Sequence, residues 1–263
     1  MSERRLPEFV DGKAAPTIRN CTSLEDMREC FALQKEIWEF SDSELVPVRI
    51  FVTAAKIGGQ VVGAFDRGRL VGFALAIPAI RNGHPYLHSQ MLAVGPQYRN
   101  AGLGRRLKLF QREDALVRGF ELMEWTFDPL EIKNAYLNIE KLGALARRYS
   151  VNQYGITSSR LHGGLPSDRL VAEWWMKSQR VQAVLANGCL PSFTARAQIE
   201  VPAEVSAWKA QTATRPQALA LQERNRKQFE KAFAKGLAVL GYESDKSGAG
   251  RFLLGEWDEG GHY

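Results

Sequence analysis

The segment MLAVGPQYRNAGLGRRLKLF, residues 91–110, passes from an apolar run through a loop with three glycines into a helical pattern. Where a strand leads through a glycine-rich loop into a helix, the free backbone N–H groups and the positive end of the helix dipole point at an anion bound beside the loop. Gly102 and Gly104 remove side chains that would block close approach, and Arg99 and Arg105 add positive charge. The segment therefore predicts a site for an anion such as a phosphate group.

Two other phosphate-binding loops do not fit these residues. A P-loop needs Lys and then Ser or Thr after its last glycine, whereas Arg105 and Arg106 follow Gly104. A dinucleotide-binding loop needs a third glycine where the chain has Leu107, and a βαβ order where the upstream strands predict a hairpin. The remaining alternative is structural: the glycines only turn the chain, and the arginines are a solvated face.

The composition is that of a globular protein with a mild excess of positive charge. The chain has 263 residues, with 35 Lys and Arg against 29 Asp and Glu, a formal charge of +6. This charge favours anionic ligands but is low for a dedicated nucleic-acid binder. Cys21, Cys30 and Cys189 are widely spaced, which indicates reduced thiols and no metal site. With a polar N-terminus and no run long enough to span a membrane, a cytoplasmic location is expected.

The hydrophobic pattern changes several times along the chain. Before the glycine loop we expect, in order, a strand, a helix, a second helix and three antiparallel strands. Ser23 and Asp26 form a capping-box signal for the first helix. The predicted segments up to residue 176 are strands at 16–20, 60–65, 70–80, 86–94, 121–127, 147–155 and 168–176 and helices at 24–38, 48–56, 103–118 and 132–142.

After residue 177 the pattern starts again. We expect a helix to Asn187, a strand at 197–201, a long helix from Pro216 to about Lys235 and strands at 238–243 and 251–257. The domain prediction is a tail over residues 1–14, a main domain over 15–176 and a C-terminal α/β extension or subdomain over 177–263.

The loop RNAGLG, residues 99–104, resembles the R/QxxGxG/A signature of the GNAT superfamily of N-acetyltransferases. In that family the signature follows an apolar strand end, as at Ala93 and Val94, and begins a helix. The order of strands and helices over roughly residues 15–176 is also similar. The resemblance implies an α+β, three-layer acyl-CoA N-acyltransferase fold, in which a mixed, mostly antiparallel sheet is flanked by helices.

The resemblance also implies acetyl-CoA, or another acyl-CoA, as co-substrate, and no metal. Its pyrophosphate would bind backbone amides of the glycine loop, its pantetheine arm would pair with the preceding strand, and polar amides of the next helix would contact that arm. The residues implied are Leu92, Ala93, Val94, Arg99, Asn100, Ala101, Gly102, Leu103, Gly104, Arg105, Asn134 and Asn138.

Acyl transfer to an amine needs a neutral nitrogen, a stabilised tetrahedral intermediate and a proton for the departing thiolate. His88 has the same parity in its strand as Leu92, so we expect it to face the cleft as the base, with Glu124 on the next strand as second candidate. The resemblance implies a tyrosine as general acid at a position where this chain has Ile139. Tyr136, one turn earlier on the helix, is the candidate that could take over this role. His88, Glu124 and Tyr136 each also have an ordinary structural interpretation.

Three classes of function stay open at this point. The first is an N-acetyltransferase acting on a small-molecule or peptide amine, with a homodimer possible. The second, motivated by Ile139, is a catalytically inactive acyl-CoA-binding or regulatory protein of the same fold. The third is a nucleic-acid binder using a basic face of the long C-terminal helix, which is disfavoured because no aromatic residues interleave with that face.

Overall fold

The computed structural model describes residues 9–10, 13–159 and 162–257. Residues 1–8 and 11–12 of the predicted tail and residues 258–263 of the predicted extension lie outside this part. The strands are β1 (Phe9–Val10), β2 (Lys13–Ala14), β3 (Thr17–Asn20), β4 (Gln60–Asp66), β5 (Arg69–Arg81), β6 (His84–Val94), β7 (Leu122–Phe127), β8 (Leu145–Ser150), β9 (Arg169–Trp175), β10 (Ala197–Val201), β11 (Leu237–Ser244) and β12 (Gly250–Glu256). The helices are α1 (Leu24–Trp38), α2 (Val48–Lys56), α3 (Leu103–Val117), α4 (Ile132–Tyr136), α5 (Gln179–Asn187), α6 (Val205–Ala210) and α7 (Arg215–Phe233).

Ten of the described strands form one sheet in the order β10, β12, β11, β8, β9, β7, β6, β5, β4, β3. Neighbours are antiparallel except β6 and β7, which are parallel and pair only at Leu87 with Met123 and at His88 with Glu124. The predicted α+β fold with a mixed, mostly antiparallel sheet flanked by helices is confirmed. The β1 and β2 strands form a separate short ribbon.

Helices cover both faces of the sheet. The α1 and α2 helices pack on one face through Met27 and Phe51, which share a core with Phe73 of β5. The α3 helix packs on the opposite face through Leu103 and Leu107. The capping box predicted for α1 is present: Ser23 accepts a hydrogen bond from the Asp26 N–H, and the Asp26 carboxylate accepts one from the Ser23 N–H.

The C-terminal segment shares the core of the main domain. Phe229 of α7 packs on Phe252 of β12 with ring centroids 5.2 Å apart, and both belong to a cluster that includes Trp125 and Trp174. The sheet continues from β8 into β11 through the pair Ala146 and Val239. The segment after residue 177 therefore extends the sheet as well as the core.

Two local predictions need correction, and one short helix was not predicted. The predicted helix over residues 132–142 is α4 followed by a π-helical turn, Leu137–Lys141, that ends where Gly143 adopts a φ of 75°. The strand predicted at 147–155 is β8, which begins at Leu145 and ends at Ser150. After Ser150 the chain turns, and the Asn152 N–H donates a hydrogen bond to the Asp168 carboxylate. The short helix α6 was missed, since six residues give too little of a helical pattern.

Candidate active site

The β6 and β7 strands separate immediately after the pair His88 and Glu124, and a cavity of about 480 Å³ lies where they diverge. From Ser89 onward, the edge of β6 that faces β7 has no strand partner among the described residues. The cavity is lined by Trp38, Phe40, Glu44, Val46, Ser89, Gln90, Met91, Leu92, Lys108, Trp125, Thr126, Phe127, Asp128, Glu131, Asn134, Leu137, Asn138, Tyr154, Thr157, His162 and Arg169. An extended ligand can therefore lie between the two strands and pair with the backbone of β6.

The glycine loop opens α3 without a side-chain cap. Gly102 is the N-cap residue, with a left-handed φ of 76°, and it makes no side-chain hydrogen bond to the helix. A Cβ at Gly102 would have no atom within 4 Å, so the loop is open on that side. The first N–H groups of the helix are consequently available to an anion, and the helix dipole favours negative charge there. The phosphate site predicted from the sequence would lie at this start of α3.

The arginines of the loop are anchored to backbone carbonyls. Arg99 Nε donates to the carbonyl oxygen of Val94 at 3.2 Å, and Arg105 Nε donates to that of Lys141 at 3.1 Å. The second bond ties the start of α3 to the π-helical turn that follows α4. Both guanidinium groups therefore lie near the start of α3.

The other residues predicted for the cofactor have mixed placements. The Leu92 side chain lines the cavity, whereas the Ala93 side chain is buried in the core under α1 and α2. Leu103 is also a core residue, so Ala93 and Leu103 could reach a ligand only through their backbones. Asn100, with a φ of 62°, and Ala101 form the exposed turn before Gly102.

A β-bulge overturns the argument from parity that placed His88 beside Leu92. Met91 pairs with Leu75 of β5, and Ser89 pairs with the next residue of β5, Ala76. Gln90 therefore has no partner residue on β5. Ser89 consequently contacts α3, as Leu92 does, while His88 lies opposite Ile77, which packs under α1 and α2. His88 is not among the described residues that line the cavity. Burial lowers its pKa.

Glu124 is held in a cluster of ion pairs. Arg81 donates to both of its carboxylate oxygens at 2.6 Å, and Arg148 donates to Oε1. Glu173 lies directly opposite Glu124 on β9 and binds Arg147 and Arg148. Like charges on paired strands repel one another, and these guanidinium groups compensate for that repulsion. Glu124 is therefore engaged in structural contacts and does not line the cavity.

The candidates on α4 separate into two groups. Asn134 and Asn138 line the cavity, as predicted for residues that contact the cofactor arm. Tyr136 is exposed, does not appear in the described lining and contacts the ammonium of Lys141 through its ring. Ile139 is fully buried in the core. The helix thus presents two amides to the cavity and no hydroxyl from these positions.

Lys108 is a cavity residue that the sequence analysis missed. Its side chain is 1% exposed, its Nζ donates to Ser89 Oγ at 2.7 Å, and Nζ lies 3.7 Å from the centroid of the Trp125 ring. Burial of an ammonium without a counterion costs several kcal/mol, while a desolvated contact with an aromatic face returns about 2 kcal/mol. Burial therefore prevails, and it holds the pKa of Lys108 well below its usual value.

A second buried cation comes from the C-terminal segment. Lys209 of α6 donates to Asp128 at 2.9 Å and to Glu131, two carboxylates of the cavity lining. Burial alone would raise the pKa of Asp128, but Lys209 and Arg169 outweigh burial and hold it below its usual value. No single sequence motif signals this pairing, because the partners are about 80 residues apart in the chain.

His162 also lines the cavity, in a hydrogen-bonded chain. Arg169 donates to His162 Nε2 at 3.1 Å, so the ring proton is on Nδ1 and is donated to Thr157. Burial, and then the positive charge of Arg169, lower the pKa of His162 to about 4. The imidazole is therefore neutral at neutral pH, and its acceptor nitrogen is occupied.

The described residues contain neither a candidate membrane-spanning helix nor a candidate metal site. No helix among them is long and apolar enough to cross a membrane. Nor do those residues bring together three or more His, Cys, Asp or Glu side chains in a group that could hold a metal ion.

Comparison with known proteins supports the family resemblance. Residues 23–135 match the model of the acetyltransferase (GNAT) family. Two solved structures with the same fold are a protein from Acinetobacter baylyi and a protein from Salmonella typhimurium with its cofactor acetyl-CoA, both described as acetyltransferases. The first is 18% identical, covers 62% of this chain and 93% of its own, and has a TM-score of 0.52. The second is 16% identical, covers 63% and 96%, and has a TM-score of 0.51.

A search of curated proteins finds no match. The match of residues 23–135 to the family model confirms the resemblance to the GNAT superfamily, and the two solved structures share the fold.

Proposed function

We propose that the protein is an N-acetyltransferase that transfers the acetyl group of acetyl-CoA to an amine by direct attack on the thioester. The observation that carries this proposal is the continuity of two features. The edge of β6 that lacks a strand partner within the described part of the chain opens into the cavity between β6 and β7, and the same strand leads into the uncapped start of α3. A ligand with an anionic head and an extended arm fits both features together.

The residues present suit each part of acetyl-CoA. The pyrophosphate would bind the first N–H groups of α3 beside Arg99 and Arg105. The pantetheine arm would hydrogen-bond to the edge of β6 that has no strand partner among the described residues, with the amide of Leu92 near the thioester oxygen. Asn134 and Asn138 line the same cavity. A backbone donor at that oxygen stabilises the charge that develops during attack.

The acceptor amine must lose its proton before it attacks, because an alkyl amine with a pKa of about 10.4 is mostly protonated at neutral pH. His88 and Glu124 are outside the described cavity lining, and the imidazole of His162 already accepts a bond from Arg169. We propose that the proton leaves through water in the cavity. A small-molecule or peptide amine is the proposed acceptor, and the cytoplasm the proposed location.

A binding protein without catalysis is the second candidate. The observation in its favour is that Ile139, at the position of the family's general-acid tyrosine, is fully buried. Tyr136 is exposed to solvent and is not among the described residues that line the cavity. A thiolate with a pKa of about 8.5, by analogy with cysteine, can nevertheless leave with a proton from water.

Two measurements test the proposal in sequence. Acetyl-CoA should raise the melting temperature in proportion to the logarithm of its concentration, with about 2.7 kcal/mol of stabilisation at 100 times the dissociation constant. Release of CoA thiol is then followed with a panel of small amines and peptides. Stabilisation with turnover on at least one amine supports the enzyme, and stabilisation without turnover on any supports the binding protein. Absence of stabilisation rejects both.

A further inference from the structure

Two buried lysines have opposite surroundings: Lys108, which lines the cavity, and Lys209, which bonds to carboxylates of the cavity lining. Lys209 contacts two carboxylates, Asp128 and Glu131, which raise its pKa against the effect of burial. Lys108 is bonded to the hydroxyl of Ser89 and contacts the ring of Trp125, and no described carboxylate bonds to it. Only Lys209 is therefore built to stay charged.

An uncharged lysine amine is a nucleophile, since its nitrogen has a free electron pair. Lys108 lies one helical turn after Gly104, and both Lys108 and Ser89 line the same cavity as Leu92. The hydrogen bond from Nζ to Ser89 Oγ fixes the amine on the side of β6 that Leu92 also occupies. Lys108 thus belongs to the wall of the cavity to which the proposed function assigns the thioester.

We propose that Lys108 is an acetylation site inside the cavity, modified by the acetyl-CoA that the same chain binds. This inference rests on the proposed function, because it requires acetyl-CoA in this cavity. Nζ attacks the carbonyl carbon of the thioester, a C–N bond forms, and the C–S bond breaks with its electron pair on sulfur. The nitrogen loses one proton, which ends on the CoA thiol, and the product is a neutral amide.

The product suits its surroundings better than an ammonium would. An amide carries no charge, so its burial beside Trp125 has no ionic desolvation cost. Its N–H can keep the hydrogen bond to Ser89 Oγ. The added acetyl group would occupy part of the cavity, so the modified protein should bind acetyl-CoA more weakly.

The test needs no acceptor. The full chain is incubated with acetyl-CoA, the mass of the intact protein is followed, and the acetylated residue is located by peptide mapping. We expect one acetyl group on Lys108, added more slowly when free CoA competes. An amine-reactive acetylating ester that does not resemble CoA should label exposed lysines such as Lys227 and spare Lys108. Since this comparison uses the unaltered chain, it does not depend on the folding of a variant.

Two variants and a binding measurement complete the design. K108M should abolish the mass increase, and K227M, the matched control on the exposed side of α7, should not change it. If acetyl-CoA stabilises the protein but Lys108 stays unmodified, the inference is wrong and the proposed function stands. Acetylation spread over exposed lysines and insensitive to CoA also overturns it. If acetyl-CoA gives no stabilisation, the proposed function itself fails.

Discussion

The ammonium of Lys209 lies 2.9 Å from a carboxylate oxygen of Asp128 and joins α6 to the wall of the cavity. Their side chains are 5% and 10% exposed, so neither charge can be solvated if the other is removed. The C-terminal segment therefore supplies the counterion for a carboxylate that β7 and α4 place beside the site. The cavity wall depends on the segment after residue 177.

Replacing Lys209 with Met should destabilise the protein by about 3–5 kcal/mol, because Asp128 would be left buried and unpaired. Denaturant unfolding measures this change. Lys231→Met, at an exposed position of α7, is the control and should change stability by less than about 0.5 kcal/mol. Equal effects of the two substitutions would contradict the role assigned to Lys209.

His162 should make the protein less stable in mild acid. Its pKa is about 4 in the folded chain and about 6.5 in the unfolded chain. Between these values the unfolded state binds a proton that the folded state does not, so stability falls as the pH falls. The loss attributable to His162 should be about 2 kcal/mol between about pH 7.5 and about pH 5.

Urea unfolding at these two pH values, for the wild type and for His162→Gln, isolates that contribution. The variant should lose less stability in acid than the wild type does. His84→Gln replaces a histidine at the exposed first residue of β6 and is the control substitution. An unchanged pH dependence in His162→Gln would show that the imidazole is not held neutral.

Glu124→Gln should lower stability without abolishing binding of acetyl-CoA. The substitution removes the negative charge that Arg81 and Arg148 contact. Because those two side chains are 29% and 41% exposed, water can solvate their charges, and we expect a moderate loss of about 1–3 kcal/mol.

Glu121→Gln is the control for Glu124, since Glu121 forms an exposed ion pair with Lys177 next to the same strand. It should cost less than about 1 kcal/mol. A Glu124→Gln protein with unchanged stability and no turnover would instead identify Glu124 as the catalytic base.

Local patterns allowed the sequence to predict the elements but not the geometry between them. The helix at Val48–Lys56 and the hairpin of β4 and β5 follow from periodicity and turn residues, so they could be read directly. The bulge at Gln90 could not, because nothing in HSQML marks the extra residue. Because of this extra residue, the side chain of His88 lies on the opposite face of β6 from that of Leu92.

The site residues that the sequence missed depend on contacts between distant segments. Nothing in the sequence around Lys108 marks it as a cavity residue, and only the position of α3 on β6 and β7 shows that it is buried against Ser89 and Trp125. Asn134 and Asn138 could be anticipated, since the family places amides on this helix. Burial and pairing of charges are tertiary properties and have no local pattern.

Arg99→Ala should weaken the binding of acetyl-CoA about fivefold, as expected for loss of one exposed cation near a phosphate. The side chain is exposed and bonds only to the carbonyl of Val94 among the hydrogen bonds described, so the fold should be unaffected. Calorimetric titration gives the dissociation constants. Arg49→Ala, at an exposed position on α2, is the control and should bind as the wild type does.

A second ligand shows where the lost contact lies. S-acetyl-pantetheine carries the thioester and the extended arm but no pyrophosphate, so Arg99→Ala should bind it as well as the wild type does. Raising the salt concentration should bring the dissociation constants of the wild type and the variant for acetyl-CoA closer together, because salt screens exposed charges. If Arg99→Ala weakened both ligands equally, the arginine would act on the arm of the ligand or on the fold, and the start of α3 would not be the pyrophosphate site.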